Sequence, residues 1–425
     1  MNSFTRYAFA ATVAVSALAI ASPANAQQFA LKSGDHVVTY GDSITAQCLY
    51  SNFAEAFVLT RYPKLVIDWT TAGWGGDRVG GGGGGPIDVR LQRDVLAYNP
   101  TMVTVMLGMN DGSYRAFDQG IFDTYAKGYQ HIVDVVKKAN PATAFTLIQP
   151  SPFDDITQAP QFPGGYNGVL IKYSAFVKDL AQKNGFLTAD FNTAVDDVIT
   201  KSNTADPADA AKIIPGRVHP SPAGHLIMAE TLVKSWNFPS LVASVTIDGT
   251  AGKLVTANNA TVTNVAAGPS LKWDELDNAL PLPWSYGDPV MQLVVKNSDF
   301  LSAIDQEPLS IINLTAPKYT LNIDGKPVGT FTKEDLASGV NLAGIDTPML
   351  DQANNVLALT NKHVAVHMNK FHSLQAPFQG DNDSDVKAGV AVLAKALDSE
   401  DQSYVVQQRA AAQPTVHHFE LVAAK

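Results

Sequence analysis

Four short segments of this chain carry residue types suited to acyl transfer. Gly41-Asp42-Ser43-Ile44 follows an apolar run and comes just before a helical pattern. A serine at such a turn exposes its hydroxyl and sets its backbone N–H at a helix start, where negative charge is favoured. Ala72-Gly73-Trp74-Gly75-Gly76-Asp77 lets the backbone come close to a bound carbonyl, with the Gly76 N–H free to donate to a developing oxyanion. Gly108-Met109-Asn110-Asp111 adds a side-chain amide that donates without titrating. His219-Pro220-Ser221-Pro222-Ala223-Gly224-His225 supplies an imidazole, whose ordinary pKa of about 6.5 suits proton exchange with a hydroxyl. Singly, each has a plainer reading as a turn, a helix cap or a packed histidine. His225, facing an apolar stretch, reads as structural.

The elements that must position these segments follow from hydropathy. Short apolar runs at Val37–Tyr40, Leu65–Trp69, Met102–Leu107, Ala144–Ile148 and Phe186–Asp190 read as buried strands. Helical patterns lie between and after them at Asn52–Arg61, Ile87–Tyr98, Ile121–Ala139, Leu170–Lys183 and Pro222–Trp236. This alternation predicts an α/β fold, a parallel sheet with helices on both faces, whose ligands bind beyond the carboxyl ends of the strands. The four segments occupy such ends in chain order.

That joint arrangement resembles the SGNH hydrolases, also called the GDSL esterase and lipase family, over His36–Phe238. The resemblance implies a flavodoxin-like three-layer α/β/α sandwich in which Ser43 is the nucleophile and His219 the base. It implies an oxyanion hole made by the Ser43 N–H, the Gly76 N–H and the Asn110 amide, with no cofactor or metal. The family's substrates are small-molecule or polysaccharide esters. One departure stands out: members usually carry Asp three residues before the histidine, and here Gly216 occupies that place. In serine hydrolases of other folds, loss of the acid lowers turnover by about 10⁴-fold, roughly 5 to 6 kcal/mol. Asp206, Asp209 or a backbone carbonyl are the candidate substitutes. Three functions stay open: hydrolysis of a short acyl ester on a carbohydrate, acyl transfer, and noncatalytic polysaccharide or partner binding by a decayed site.

Beyond Phe238 the pattern changes. Ser244–Asp248, Ala260–Val265 and a hairpin over Tyr319–Phe331, turning at Asp324-Gly325, read as antiparallel strands. Helical patterns follow over Asp346–His372 and Val386–Leu397, around a polar loop at Gln379–Asp385. This β-rich, then helical region, residues 241–425, shows no motif that reads as chemistry. His363 and His367 stand one helical turn apart, yet Val364 occupies the place where a zinc-protease motif needs Glu. The glycine run Gly80–Gly85 lacks the Lys-Ser or Lys-Thr pair of a phosphate loop and reads as a flexible surface loop. Cys48 reads as a small buried group, Trp74 as core, and Tyr114 as a residue able to pack on a sugar ring.

Composition bounds the setting. With 46% hydrophobic and 16% charged residues among 425, the chain can bury a core, and its length suggests two units. Arg6, the uncharged stretch Tyr7–Ala21 and Ala24-Asn25-Ala26 before Gln27 form the pattern of an export leader over residues 1–26. The apolar stretch is shorter than the roughly 20 residues a membrane span needs. A soluble periplasmic or extracellular protein is therefore expected, with a hydrolase domain over residues 27–240. Its net charge, −10 before loss of the leader, repels nucleic acid and anionic lipid. A single cysteine excludes an intrachain disulfide.

Overall fold

The computed structural model describes residues 28–424, so the leader expected over residues 1–26 lies outside the described residues. In strand β1 (His36–Gly41), Val37, Val38, Thr39 and Tyr40 are all fully buried. A strand covered by helices on both faces needs no polar alternation, which is why this stretch reads as one apolar run. β1 pairs in parallel with β2 (Asp68–Gly73) on one side and with β3 (Met102–Met106) on the other. β4 (Ala144–Gln149) and β5 (Leu187–Asp190) extend the sheet beyond β3, also in parallel. The order β2-β1-β3-β4-β5 is flavodoxin-like. Helices Leu49–Arg61, Phe191–Ala205 and Pro222–Ser235 pack together, as do Gln119–Ala139 and Asn167–Asn184. The helix Gln119–Ala139 shows the local logic: Asp118 caps its first turn and Lys137 and Lys138 end it. One stripe, Tyr125, Tyr129, Ile132, Val133 and Val136, is buried.

Two sequence expectations shift here. The second strand is Asp68–Gly73, not Leu65–Trp69: Leu65 closes a turn onto the Tyr62 carbonyl, and Val66 is exposed. The buried part of β2 is Thr70-Thr71-Ala72-Gly73, small and half polar, so hydropathy pointed upstream of it. The helix expected over Ile87–Tyr98 is instead a short α segment (Ile87–Arg90), a π segment (Leu91–Val95) and a 3₁₀ turn (Leu96–Tyr98).

The second half is a β-sandwich with a helical hairpin. One sheet of five antiparallel strands runs Ala260–Ala266, Leu271–Asp277, His417–Ala423, Lys318–Ile323 and Lys326–Thr332. The other, of four strands, runs Val340–Asn341, Pro308–Ile312, Ser244–Asp248 and Lys253–Asn258. Val245, Ile247, Leu309 and Ile311 meet Leu271, Trp273, Leu321 and Phe419 in one apolar cluster between the sheets. Leucine-poor strands such as Lys253–Asn258, exposed at most positions, carried no legible pattern. Between Thr347 and Ala412 the chain leaves the sandwich as an antiparallel pair of helices, Pro348–Asn369 and Ser384–Ala411. The second runs well past the expected Leu397. At 1.5 Å per residue the outgoing helix is about 33 Å long, enough to carry its tip from the sandwich to the sheet of the first half.

The hairpin is fastened to the first half by polar contacts. His363 lies between Glu55, 2.9 Å from Nε2, and Asp401, 3.2 Å from Nδ1. Burial opposes charge on this ring, but the two carboxylates outweigh it and push the pKa up to about 10. Both nitrogens therefore carry protons and donate. His367 turns elsewhere: its Nε2–H donates to the Thr71 carbonyl at 3.0 Å, and burial brings its pKa down to about 4. The two histidines spaced for a shared metal thus serve separate partners. Arg61, at the end of its helix, forms a fully buried pair with Asp305.

Candidate active site

Ser43 is the first residue of a one-turn helix, Ser43–Ala46, capped by Asp42, whose carboxylate accepts from the Ile44 N–H at 2.9 Å. The turn sits tightly on the sheet. A Cβ at Gly73 would lie 2.2 Å from the Ala46 nitrogen, and one at Gly41 would lie 2.7 Å from the Met106 carbonyl oxygen. Glycine at these positions is therefore a packing requirement. Across the top of the sheet the Ser43 hydroxyl lies 2.8 Å from His219 Nε2, although the residues are 176 positions apart in sequence. Ser43 is half-buried and His219 exposed.

The expected donors lie on the loops that follow β1, β2 and β3. The Ser43 N–H is one of the first-turn donors that a helix leaves free. Gly76 has φ +76°, a conformation glycine adopts without cost, and its N–H has no acceptor among the described residues. Asn110 Nδ2 donates one hydrogen to the Asp77 carbonyl at 3.0 Å, while its Oδ1 accepts from the Tyr114 hydroxyl at 2.9 Å. Those two bonds fix which way the amide faces and leave a second N–H available. Tyr114 and Ser113 both have positive φ, +53° and +57°, at roughly 1–3 kcal/mol each. Sequence spacing offered no sign that Tyr114 orients Asn110; the strained backbone does. Tyr114 itself stays 40% exposed.

Beneath the site are buried charges. Burial pushes Asp42 up to about 7 and Asp111 up to about 6, and Asp77 is also raised by burial, against the pull of Arg90. Arg90 is wholly buried; its Nε donates to Asp77 at 2.7 Å, it pairs with Asp94, and Nη2 donates to the Ala72 carbonyl at 3.0 Å. Removing one partner of such a buried pair costs roughly 3–5 kcal/mol.

The imidazole of His219 is less supported. Among the described residues no carboxylate or carbonyl hydrogen-bonds its Nδ1. Neither expected substitute acid reaches it. Asp206 caps the short helix Pro207–Ala210, accepting from the Ala208 and Asp209 N–H groups, and Asp209 pairs with Lys212 at 2.7 Å. Local capping wins because both carboxylates sit beside their own helix turn. At Gly216 a Cβ would meet nothing within 4 Å, so the place of the usual acid is open space. The loop is held instead by Arg217, at φ +66°, bonded to Gln158 and Asp155.

The remaining sequence candidates resolve simply. His225 is buried, takes the Tyr50 N–H on Nδ1 and faces Gln47 through Nε2. Burial pushes the Cys48 thiol up to about 12, so it is no second nucleophile. The glycine run is not a loose surface loop: Cβ atoms at Gly83 and Gly84 would lie 3.0 and 2.7 Å from the Trp74 indole, which packs on bare backbone there. Trp74 is accordingly a half-buried packing residue, with one neighbour in the glycine run and another in the ring of His372.

Residues 39–227 match the model of the GDSL-like lipase/acylhydrolase family. An acetylxylan esterase of Geobacillus stearothermophilus is 26% identical over 227 residues, 48% of this chain and 95% of the relative. The solved structure of a gut microbial diltiazem-metabolizing enzyme superposes with TM-score 0.80 at 23% identity, covering 94% of this chain and 99% of that one. At that identity the likeness is one of fold, and it spans both halves.

Proposed function

We propose, from the premise that this chain carries a GDSL-like ester hydrolase domain, that it cleaves short acyl esters through an acyl-enzyme on Ser43, with His219 as general base. The 2.8 Å approach of His219 Nε2 to Ser43 Oγ carries this reading. In the proposed cycle Ser43 Oγ attacks the acyl carbonyl as its proton passes to His219 Nε2. The oxyanion takes hydrogen bonds from the Ser43 N–H, the Gly76 N–H and the Asn110 amide. The carbonyl re-forms, the C–O bond to the alcohol breaks, and the departing oxygen receives the proton from His219. Water then attacks the Ser43 ester as its proton passes to His219, the bond between the acyl carbon and Ser43 Oγ breaks, Oγ takes the proton back from His219, and the acid is released. Exposure of His219 lets solvent serve the Nδ1–H that no carboxylate takes.

An acetyl group on a carbohydrate is the proposed substrate, supported by the acetylxylan esterase relative and by the exposed Tyr114 ring beside Asn110, a surface suited to a sugar face. Export to the periplasm or medium is part of the proposal; N-terminal sequencing of the mature protein should begin near Gln27. Among the described residues no helix is long and apolar enough to cross a membrane. Purified protein should release acetate from acetylated xylo-oligosaccharides and react with a fluorophosphonate, and Ser43→Ala should do neither. Equal turnover by the two proteins would sink the assignment. The bare Nδ1 of His219 favours a second reading, a binding protein with a decayed site, for which wild type would resist the fluorophosphonate. Transfer to a second sugar in place of acetate release would mark an acyltransferase.

A further inference from the structure

The tip of the C-terminal hairpin, a π segment over Lys370–Gln375, lands on the loop between β2 and Gly76. His372 Nε2–H donates to the Gly73 carbonyl at 3.1 Å, and its ring stacks on Trp74 at 4.1 Å with an interplanar angle of 19°. Phe371, buried, meets Trp74 edge-on at 5.4 Å. The guanidinium groups of Arg90 and Arg93 both lie over the Trp74 and Phe371 rings at 5.3–5.8 Å. Arg93 also ties the tip to the glycine run, donating to Gln379 at 2.8 Å and to the Gly84 carbonyl at 3.0 Å. Trp74 is thereby held between the hairpin on one side and glycine backbone on the other. Two residues further on is the exposed Gly76, whose N–H has no acceptor among the described residues, in a turn closed by the Asp77 N–H donating to the Trp74 carbonyl at 3.2 Å.

We propose that His372 and Phe371 are positioning residues for the oxyanion loop, so that the second half of the chain completes the esterase site. Burial, and the positive charge of the two arginines, keep His372 below the usual histidine range, hence neutral with its proton on Nε2, the tautomer the Gly73 carbonyl requires. Neither side chain touches substrate. Their effect passes through Gly73 and Trp74 to the aim of the Gly76 N–H, and a displacement of about 1 Å at such a donor can cost up to roughly 100-fold in rate.

This inference rests on Ser43 as nucleophile, and the experiment separates the two. Steady-state hydrolysis of 4-nitrophenyl acetate and inhibition by phenylboronic acid, whose tetrahedral Ser43 adduct occupies the oxyanion hole, are measured on folded variants. His372→Ala should lower kcat by roughly 10- to 100-fold with KM within about twofold, and should weaken boronate binding in proportion. His372→Gln, which keeps an N–H donor, should recover most of both. Phe371→Leu should show a smaller loss of the same kind, and Lys326→Ala, in the sandwich, none. Folded His372→Ala with unchanged kcat, or with reduced kcat and unchanged boronate affinity, overturns the proposal. Should His372→Ala fail to fold, a loss in Phe371→Leu beside near-normal His372→Gln supports the proposal, and unchanged kcat in Phe371→Leu overturns it. Wild type inert to both fluorophosphonate and boronate instead refutes the nucleophile itself, before any variant is compared.

Discussion

On the Gly76 side of Ser43, each group is fastened more than once: Asn110 by Asp77 and Tyr114, Asp77 by Arg90 and the Trp74 carbonyl, Trp74 by His372 and the glycine run. On the opposite side, the His219 ring is exposed and, among the described residues, hydrogen-bonded to Ser43 alone, with open space at Gly216 three positions before it. The contrast locates the preorganisation of this site. Stabilising charge on the substrate requires fixed donors, because a dipole that must reorient during reaction loses much of its benefit. Moving a proton tolerates a base that solvent can reach, at some cost in rate.

Three measurements test that contrast. The largest effect is expected on the braced side, where Asn110→Ala should lower kcat by about 10²- to 10³-fold with little change in KM. A loss under fivefold in steady-state assays would mean that the well-fixed donors are not where catalysis gains most. Next comes the bare side: Gly216→Asp adds its Cβ in open space and should orient the imidazole, raising kcat on the order of tenfold. No gain on a small acetyl ester would show that a group other than a carboxylate already does this work. The smallest effect falls on the hairpin that braces the loop. His363, raised to about 10 between Glu55 and Asp401, gives stability that is fully present below about pH 6.5 and is lost as pH rises toward 10. Urea midpoints from pH 6 to 10 should therefore fall more steeply for wild type than for His363→Gln. Parallel profiles would remove the charged-histidine account.

Much of the first half was legible from sequence. The β1, β3 and β4 runs are apolar because both faces are covered, and the serine, glycine and asparagine segments follow the ends of β1, β2 and β3; the histidine segment instead lies beyond the helices Phe191–Ala205 and Pro207–Ala210, in the loop before Pro222–Ser235. The second strand was misplaced because its buried residues are threonine, alanine and glycine. The substitute acid was misread because Asp206 and Asp209 satisfy backbone and lysine neighbours within three positions, a local preference that outweighs a distant histidine. Nothing in one sequence could join His372 to Gly73, which stand 299 positions apart. Such contacts belong to tertiary packing and carry no period, cap or turn signal.

The strand His417–Ala423 is the last one described, yet it sits in the centre of its five-stranded sheet, between Leu271–Asp277 and Lys318–Ile323. It also anchors the returning leg of the hairpin whose tip braces the oxyanion loop. A nascent chain that has delivered Ser43, Asn110 and His219 but not these residues has a divided sheet and an untethered brace. Under the proposed role of His372, competence for turnover therefore depends on a strand that lies far beyond Ser43, Asn110 and His219 in the chain, so a truncation that spares every esterase group would still silence the site.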